Sequence, residues 1–358
     1  MKSINVVVTS AGGIVAQGIL KSLKYHNKYT RSKSYEYKIL ATDISYEAAG
    51  LYRAHKFSII QKPTAKDYLK SVVDLCNKNS IQVLFIGSDI ELPILCKNKE
   101  GIEDNTGAVV ITSHPHIIEM CRDKYNTNEF LQKNNLNFIP TCLQDEIETF
   151  LKDYKFPLVV KPREGFGSKL FQIVNSMEEL EFAIRAINHI GWKPMIQKYL
   201  QGDGNEYTTG LTLSKDKNQI MSTITLKKIL KHGQTYKAFI DKYPKVTNIC
   251  NKIARKLKTY GPLNIQSRID ADDNQVKIIE INPRFSASGP MRTVAGVNEP
   301  DIMVRNVLLN EDVKVEDHKS LACFRYWNET YVDMKKYERV MIQRKSVKTL
   351  NSSIVDYF

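Results

Sequence analysis

The sequence predicts two folds in succession: a doubly wound α/β domain, then an α+β domain built on an antiparallel sheet. Over residues 1–112, short apolar runs alternate with helical segments, and the runs end in small or acidic residues. This alternation is typical of a parallel sheet with helices on both faces. Later strand-like runs alternate apolar and polar residues around polar turns, as in antiparallel hairpins. A chain of 358 residues is too long for one compact core.

The N-terminal domain is predicted to contain strands at 4–9, 37–42, 83–86 and 109–112, with helices at 14–26 and 67–79. The turn after the first strand carries Gly12 and Gly13, and the second strand ends at Asp43. A dinucleotide site with Asp43 on a ribose would require the spacing G-x-G-x-x-G, which Gly12, Gly13 and Gly18 do not form. We therefore favour a tight turn that lets the first helix pack on its strand.

The central part of the chain carries two lysines in positions suited to an anion. A helix is predicted over 117–133, and it contains Lys124. The apolar strand 156–162 contains Lys161, and a lysine buried in a strand is costly unless an anion meets it. Lys161 is therefore a predicted phosphate ligand. The glycine-rich turn 163–169 can lay backbone N–H groups over phosphates and can act as a hinge.

The most informative segment is 261–292, which predicts two strands around the turn Asp272-Asp273-Asn274. Glu280 and Asn282 are two residues apart, so they share one face of a strand. A hairpin symmetric about Asp273 places Gln266 opposite Glu280, with side-chain bases about 4.5–5.5 Å apart. One carboxylate and two carboxamides, without His or Cys, suit a hard cation such as Mg²⁺. The alternative is a surface hairpin with ordinary polar side chains.

A proline ends the second strand of this hairpin and starts a loop that carries Arg284, Ser286 and Ser288. The planar guanidinium of an arginine can donate two hydrogen bonds at once to phosphate oxygens. The loop would therefore bring a phosphate or oxyanion ligand beside the predicted cation site. Arg292 and Asn298 follow and are candidates for holding a substrate carboxylate.

The motif resembles the metal-binding end of the ATP-grasp superfamily. Gln266, followed 14 residues later by Glu280-Ile-Asn282-Pro-Arg284, is similar to the carbamoyl-phosphate-synthase-like branch. That branch carries a glutamine where other branches carry a carboxylate. Further residues stand in the family order, so the resemblance covers about residues 1–310; they are Lys124, Lys161, Gly165, Gly167 and Glu206.

The resemblance implies roles for the matching residues. ATP is expected to contact Lys124, Lys161, Gly165, Gly167, Ser168, Gln197, Lys198, Leu200 and Glu206, with adenine on the backbone of Lys198 and Leu200 and the ribose on Glu206. Mg²⁺, or Mn²⁺ in its place, is expected on Gln266, Glu280 and Asn282, and Arg284 and Lys161 are the expected catalytic residues. Substrate is expected near Gly12, Gly13, Asp89, Glu91, Ser286, Ser288 and Arg292. Without the resemblance, a solvated lysine is the commoner fate for Lys124, and Glu206 could as well be an exposed acid at the start of a strand.

The function implied is ATP-dependent ligation of a carboxylate and an amine through an acyl phosphate, with release of ADP and phosphate. One alternative is a carbamoyl-phosphate-synthase-like phosphorylating module or a carboxylate kinase. A second is a non-catalytic nucleotide-sensing module, against which the complete set Gln266, Glu280, Asn282 and Arg284 speaks. The sequence does not identify the carboxylate or the amine.

Four segments are predicted. They are an N-terminal Rossmann-like domain (1–112), a central helical segment and lid (113–200), a subdomain with the metal site (201–310) and a C-terminal extension (311–358). The extension is interpreted as an addition that contacts substrate or a second subunit, and a homodimer is left open. The basic cluster 227–232 departs from the run that relatives carry, and it receives no role.

Composition narrows the classes of partner. The net charge of +13 comes from dispersed lysines without a basic tail, so we predict an anionic small-molecule substrate and no nucleic acid. The six cysteines include no C-x-x-C pair, which indicates reduced thiols. No apolar run is long enough to cross a membrane, and the N-terminus enters a strand directly, so a cytoplasmic protein is expected.

Overall fold

A computed structural model of the chain describes residues 2–31, 33–165, 167, 169–202, 204–215, 219–326, 329–343 and 347–348. The strands in these ranges form three sheets, of six, six and four strands. One sheet is mostly parallel and belongs to the N-terminal domain, and the other two are antiparallel. The predicted fold class is confirmed.

The N-terminal domain is a doubly wound unit. Its elements are β1 (Lys2–Val8), α1 (Ile14–Tyr29), β2 (Tyr35–Asp43), β3 (Lys56–Ile59), α2 (Tyr68–Lys78), β4 (Val83–Phe85), α3 (Leu92–Lys97), α4 (Lys99–Thr106) and β5 (Val109–Ile111). The five strands are parallel in the order β3-β2-β1-β4-β5, which reverses direction between β1 and β4. Their carboxyl ends therefore present the loops after β1 and β4 to one edge of the sheet. The strand β3 and the helices α3 and α4 were not predicted.

The central segment contains four helices and a small four-stranded sheet. Its elements are α5 (Pro115–Arg122), α6 (Lys124–Lys133), β6 (Thr141–Cys142), α7 (Ile147–Asp153), β7 (Leu158–Pro162), β8 (Gln172–Val174), α8 (Met177–His189) and β9 (Pro194–Lys198). The sheet has the order β6-β9-β7-β8, and α8 packs on it around an apolar core of its own that includes Leu158, Ile184 and Ile196. We call this sheet with α7 and α8 the lid.

The predicted single helix over 117–133 is wrong at its centre. The chain is extended at Asp123 (φ −91°, ψ 112°), and the Asp123 side chain accepts hydrogen bonds from the backbone of Tyr125 and Asn126. Asp123 is thus the N-cap of α6, and α5 ends one residue earlier. The break places Lys124 at the first position of α6.

The C-terminal part is built on a six-stranded antiparallel sheet. Its elements are β10 (Glu206–Leu213), β11 (Ile220–Lys231), β12 (Gln234–Ile240), α9 (Pro244–Leu257), β13 (Gly261–Ile269), β14 (Val276–Asn282), α10 (Gly289–Val294), α11 (Glu299–Val307), β15 (Leu321–Phe324), α12 (Met334–Gln343) and β16 (Val347–Lys348). The sheet order is β14-β13-β10-β11-β12-β15. The 227–232 cluster lies mostly on β11.

The segment after residue 310 is integrated into both larger sheets. β15 pairs antiparallel with β12 and closes one edge of the C-terminal sheet, while β16 pairs with β3 in the N-terminal domain. This segment therefore contributes strands to the fold in addition to any contact with ligands. Across the described residues, no helix combines the length and the apolar character that a membrane span requires.

The N-terminal domain and the C-terminal sheet share one hydrophobic core. Residues of β1 and α1, such as Val6 and Ile19, belong to the same buried cluster as Ile224 and Ile302. A polar contact reinforces this junction. The buried Asp301 accepts hydrogen bonds from the hydroxyls of Tyr35 and Tyr37 at 2.8 and 2.6 Å and pairs with His26 at 3.0 Å. The two units are thus held together from opposite ends of the sequence.

Candidate active site

The register of β13 and β14 brings the predicted metal ligands together. Gln266 lies directly opposite Glu280, and Asn264 lies opposite Asn282. The Gln266 Nε2 atom donates a hydrogen bond of 2.9 Å to Glu280 Oε2. The symmetric hairpin predicted from the sequence holds up to this point and then shifts by one residue, because a bulge follows Gln266. Bulges increase local twist and can re-aim side chains beside a site.

A lysine that the sequence left without a role completes this group. Lys228 lies opposite Glu206 on adjacent strands, and its side chain is 5% exposed. Its Nζ atom donates to Gln266 Oε1 at 2.6 Å and lies 3.8 Å from Glu206 Oε2. Burial lowers the pKa of Lys228, although Glu206 and Glu280 act in the opposite direction. Lys228 thus connects the predicted ribose ligand to the predicted metal ligands.

The predicted phosphate lysines lie where the lid meets this group. Lys161 on β7 is 7% exposed, and its Nζ atom donates to Gln197 Oε1 at 2.8 Å. Gln197 in turn donates to Thr141 Oγ1, so it positions the lysine. Burial, and next the charge of Lys124, lower the pKa of Lys161 to about 8, while Glu280 acts in the opposite direction.

The glycine-rich turn is tied to the same lysines. Lys124 Nζ donates a hydrogen bond of 2.9 Å to the Gly165 carbonyl oxygen, and Gly165 has φ +122°. A Cβ atom at Gly165 would also lie 3.3 Å from the Trp192 ring, so a larger residue would be strained there. Gly167 also has a positive φ, of +70°. Ser168, a predicted ATP contact in this turn, lies outside the described residues.

These side chains line a cavity of about 470 Å³ between the lid and the C-terminal sheet, which we call the first cavity. Its described lining residues include six cations, namely Lys124, Lys161, Lys169, Lys198, Lys228 and Arg268, and three acids, namely Glu164, Glu206 and Glu280. Apolar residues such as Val159, Ile173 and Leu200 line it as well. A cationic part with an apolar part suits a nucleotide, whose phosphates and base have these two characters.

The side chain of Lys198 is engaged at one border of this cavity. Its Nζ atom pairs with Asp270 and Asp272 at 3.0 and 3.1 Å, and its backbone N–H donates to the Pro140 carbonyl oxygen. Because the backbone N–H is already used, adenine at this position would contact the carbonyl oxygen of Lys198. Leu200, the other predicted adenine contact, is buried and lines the cavity.

Arg284 joins the loop after β14 to the N-terminal domain. Its Nε and Nη2 atoms donate to the two oxygens of Asp89 at 2.6 and 3.1 Å, and Nη2 also lies 3.2 Å from Asn282 Oδ1. Burial lowers the pKa of this guanidinium, but the charge and hydrogen bonds of Asp89 outweigh burial and hold the pKa above its usual value. Asp89, predicted from the loop after β4, is thus brought to the site from 195 residues away.

A second cavity of about 320 Å³ adjoins the first, since Glu164, Gly165 and Glu280 line both. Asp89 and Arg284 form a charged part of its wall, and Asn282 lies beside them. Its apolar lining includes Ile90, Leu92, Ile118, Cys121, Trp192 and Pro283. The predicted metal ligands therefore lie at the junction of two cavities.

Two charged residues predicted near substrate are instead satisfied in the interior. Glu91 is 2% exposed and accepts hydrogen bonds from Thr9, Ser10 and Tyr68 at 2.6–2.7 Å. It holds the loop after β1 to the rest of the N-terminal domain and lines neither cavity. The expectation that Glu91 borders the substrate is corrected for this physical reason.

Arg292 requires the same correction. It is fully buried and pairs with Glu299 at 3.0 Å, while its Nη2 atom donates to Thr208 and Asn264. Gly210 makes room for the pair, because a Cβ atom there would lie 1.9 Å from Glu299 and 2.1 Å from Arg292. Arg292 therefore supports the core beside β10 and β13 and lines neither cavity.

The remaining predicted substrate contacts also serve local structure. Ser286 Oγ accepts from the Ser288 backbone, and Ser288 donates to Thr235, with both serines buried. Asn298 is the N-cap of α11. The Gly12 backbone N–H donates to Asp43 at 2.7 Å, which supports the tight turn over a ribose contact. Neither the serines nor Gly12 and Gly13 line the two cavities.

The donor set fits a hard cation. The described residues contain no cluster of three or more His, Cys, Asp and Glu side chains that could hold a metal alone. Glu280 would be the single carboxylate, and Mg²⁺ typically takes one or two carboxylates with substrate phosphates and water. Asn282 could offer the cation its Oδ1 atom, which here accepts a hydrogen bond from Arg284, whereas its buried Nδ2 donor has no partner among the described residues.

Parts of the chain match two family models, and most of it matches a curated relative. A family model described as ATP-grasp in the biosynthetic pathway with Ter operon matches residues 193–330, and a PylC-like N-terminal domain model matches residues 9–111. The carbamoyl-phosphate synthase of Methanobrevibacter smithii is 24% identical over 253 residues, which is 66% of this chain. The chain spans 65% of that relative and 23% of the carbamoyl phosphate synthase large chains of Saccharolobus islandicus.

Solved structures show the same fold. An ADP complex of N5-carboxyaminoimidazole ribonucleotide synthetase superposes with a TM-score of 0.68 at 15% identity, covering 96% of this chain and 84% of that one. The biotin carboxylase domain dimer of the Hydrogenobacter thermophilus 2-oxoglutarate carboxylase, a complex with MgADP, ADP and bicarbonate, has a TM-score of 0.65 at 18% identity. That match covers 94% of this chain and 76% of the domain.

The chain is therefore similar to ATP-grasp proteins over residues 193–330 and to PylC-like N-terminal domains over residues 9–111. Its sequence relatives include carbamoyl-phosphate synthases, and it shares its fold with the solved synthetase and carboxylase structures. The resemblance predicted from Gln266, Glu280, Asn282 and Arg284 is confirmed at this level.

Proposed function

We propose that this chain is an ATP- and magnesium-dependent ligase that joins a carboxylate to an amine through an acyl phosphate. The observation that carries the proposal is the position of Gln266, Glu280 and Asn282 at the junction of the first and second cavities. Glu280 lines both cavities, so a nucleotide in one and a carboxylate in the other would meet beside it.

The first cavity would take ATP. Lys124 and Lys161 would bind phosphate oxygens with the backbone of the Gly165 turn, and Lys228 would add a third positive charge. The base would lie against Val159, Ile173 and Leu200, and the ribose hydroxyls would contact Glu206. These groups are fixed by hydrogen bonds within the protein, so binding orders few side chains.

Gln266, Glu280 and Asn282 would hold the magnesium ion, and Mn²⁺ could take its place. When bound, the ion neutralises charge on phosphate oxygens during transfer. Gln266 Oε1 already accepts a hydrogen bond from Lys228, and its second lone pair remains for a ligand.

The reaction would proceed in two displacements. A carboxylate oxygen forms a bond to the γ-phosphorus while the bond from that phosphorus to the β,γ-bridging oxygen breaks, and ADP leaves with the electron pair. The amine nitrogen then bonds to the acyl carbon, phosphate leaves with the electron pair of the acyl C–O bond, and the nitrogen loses one proton. Arg284 would stabilise the oxyanion and the phosphate oxygens in both steps. The lid would exclude water from the acyl phosphate.

The test is ADP release by the purified full chain with ATP and Mg²⁺, measured for a panel of carboxylates with and without added amines. A ligase releases ADP in proportion to an amide product and requires both substrates. ADP release that needs a carboxylate and no amine, with a stable acyl phosphate as product, would indicate a kinase instead. Nucleotide binding without turnover under every combination would overturn catalysis.

A further inference from the structure

We infer that the second cavity binds an α-amino acid with an apolar side chain, and that its carboxylate is the group to be activated. The inference deepens the proposed function and rests on it. It starts from the ion pair between Asp89 and Arg284, two oppositely charged side chains in direct contact on the wall of one cavity.

The charges of this pair match those of a zwitterion. Arg284 can bind a carboxylate with two parallel hydrogen bonds, and Asp89 can accept from an ammonium. Because the two side chains are only 2.6 Å apart at their nearest atoms, the ligand charges must be close together as well, as they are on one α-carbon. An amino acid that exchanges places with the pair leaves neither charge unpaired, so little electrostatic energy is lost.

The orientation of this ligand follows from Asn282. Arg284 Nη2 lies 3.2 Å from Asn282 Oδ1, so a carboxylate on Arg284 lies beside the predicted metal ligands and the first cavity. Asp89 is 38% exposed and belongs to the loop after β4. An ammonium group bound to Asp89 would therefore lie against the N-terminal domain. The carboxylate, not the amino group, is thereby directed to the nucleotide.

The rest of the lining selects the side chain. Six apolar residues belong to this lining, beside the charged Arg122, Glu164 and Glu280, and two of the six are unusually exposed for their type, Ile90 at 54% and Trp192 at 37%. Exposed apolar surface in a cavity is stabilised by an apolar ligand. A sugar acid would leave its hydroxyls unpaired against this wall. The volume of about 320 Å³ is near the lower limit for ligand cavities, which suits one amino acid.

The first experiment identifies the activated group. The full chain is incubated with ATP, Mg²⁺ and hydroxylamine as the amine, and acyl hydroxamate and ADP are measured with leucine, methionine, phenylalanine, aspartate and gluconate. The three apolar amino acids are expected to give hydroxamate, and aspartate and gluconate are not. A preference for gluconate, or for aspartate, would overturn the inference.

The second experiment tests Asp89 with a pair of ligands that differ only in the ammonium. Leucine and 4-methylpentanoate are titrated by calorimetry into the MgADP-saturated protein. Asp89→Asn is expected to weaken leucine about tenfold and 4-methylpentanoate less than about twofold. Asp74→Asn, on the exposed face of α2, is the control and is expected to change neither. Equal weakening of both ligands would show that Asp89 only holds the domains together.

The two proposals can fail separately. Leucine that binds through Asp89 yet supports no hydroxamate would overturn the ligase function and leave the amino-acid site. Hydroxamate formed from carboxylates that lack an amino group, with no binding of leucine, would leave the ligase function and overturn this inference.

Discussion

Gln266 and Glu280 face each other across the β13–β14 hairpin, and the amide nitrogen of Gln266 donates a hydrogen bond of 2.9 Å to the Glu280 carboxylate. Fourteen residues of chain separate them, so the contact depends on the local register of one hairpin. Glu164 and Glu280 are the charged residues that line both cavities, and of the two Glu280 is a predicted metal ligand.

Replacing Glu280 by glutamine should abolish turnover and preserve the fold. The amide oxygen can still accept the hydrogen bond from Gln266, but the negative charge that would hold Mg²⁺ is lost. We expect kcat to fall at least about a hundredfold, with an unchanged circular dichroism spectrum. Asp273→Asn removes an acid from the exposed turn of the same hairpin and is expected to keep full activity. Near-normal turnover of the Glu280 variant would contradict the metal assignment.

The affinity for ATP should weaken at alkaline pH because of Lys161. Its pKa in the free protein is lowered to about 8, and the protonated form is the one that binds phosphate. The charge is therefore present below pH 8 and is lost as the pH rises through 8. We expect the Kd of a non-hydrolysable ATP analogue, measured by calorimetry from pH 7 to 10, to rise about tenfold per pH unit above pH 8.

Two variants test whether the pH dependence of ATP affinity comes from Lys161. Lys161→Met should bind weakly at every pH, and Lys161→Arg should keep its charge and flatten the profile. A wild-type profile that is flat to pH 10, or a Met variant with the wild-type slope, would count against a phosphate role for Lys161.

Lys228 should matter for the nucleotide, whereas its neighbour Lys227 should not. Lys228→Met removes the donor to Gln266 and a positive charge from the first cavity, so we expect the Kd for MgADP to rise about tenfold. Lys227 precedes it on β11 and points to the opposite face, as alternation in a strand requires. Lys227→Met is the matched control, and equal effects of the two variants would refute a specific role for Lys228.

The buried pair of Arg292 and Glu299 should contribute to stability and not to substrate binding. Glu299→Ala leaves the Arg292 charge unpaired in the core, so the free energy of unfolding should fall by about 3–5 kcal/mol in urea titrations. The double variant Arg292→Met, Glu299→Leu removes both charges and should recover much of this loss. Glu316→Gln, in an exposed ion pair, should cause no measurable change. A larger loss in the double variant would disprove this interpretation.

The sequence predicted those parts of the site that depend on neighbouring residues along the chain. Alternation and the Asp272–Asn274 turn determine that Gln266 faces Glu280, and both are visible in the sequence. The bulge after Gln266 was not predicted, because it depends on packing between strands. The Asp123 N-cap, in contrast, could have been recognised from its residue type just before α6.

Charged residues whose partners are distant in sequence were the hardest to interpret. Glu91 is satisfied by Thr9, 82 residues away, and Arg292 by Asn264, 28 residues away, in addition to its ion pair with Glu299, so both resembled candidate ligands in the sequence. Lys228 was not predicted as a site residue, although the sequence contains a signal for it. It follows the buried Ile224 and Leu226 at two-residue spacing, so it lies on the same buried face of β11 and points inward.

The common core of the N-terminal domain and the C-terminal sheet has a consequence for how the enzyme would cycle. Asp89 and Glu280 belong to these two units, so the spacing between them is set during folding and is the same before and after each turnover. The lid has an apolar core of its own and carries Lys161, so the lid is the element that would move when the site opens and closes. A measured distance between the lid and the C-terminal sheet should therefore change when nucleotide binds. The distance between Asp89 and the β13–β14 hairpin should not change.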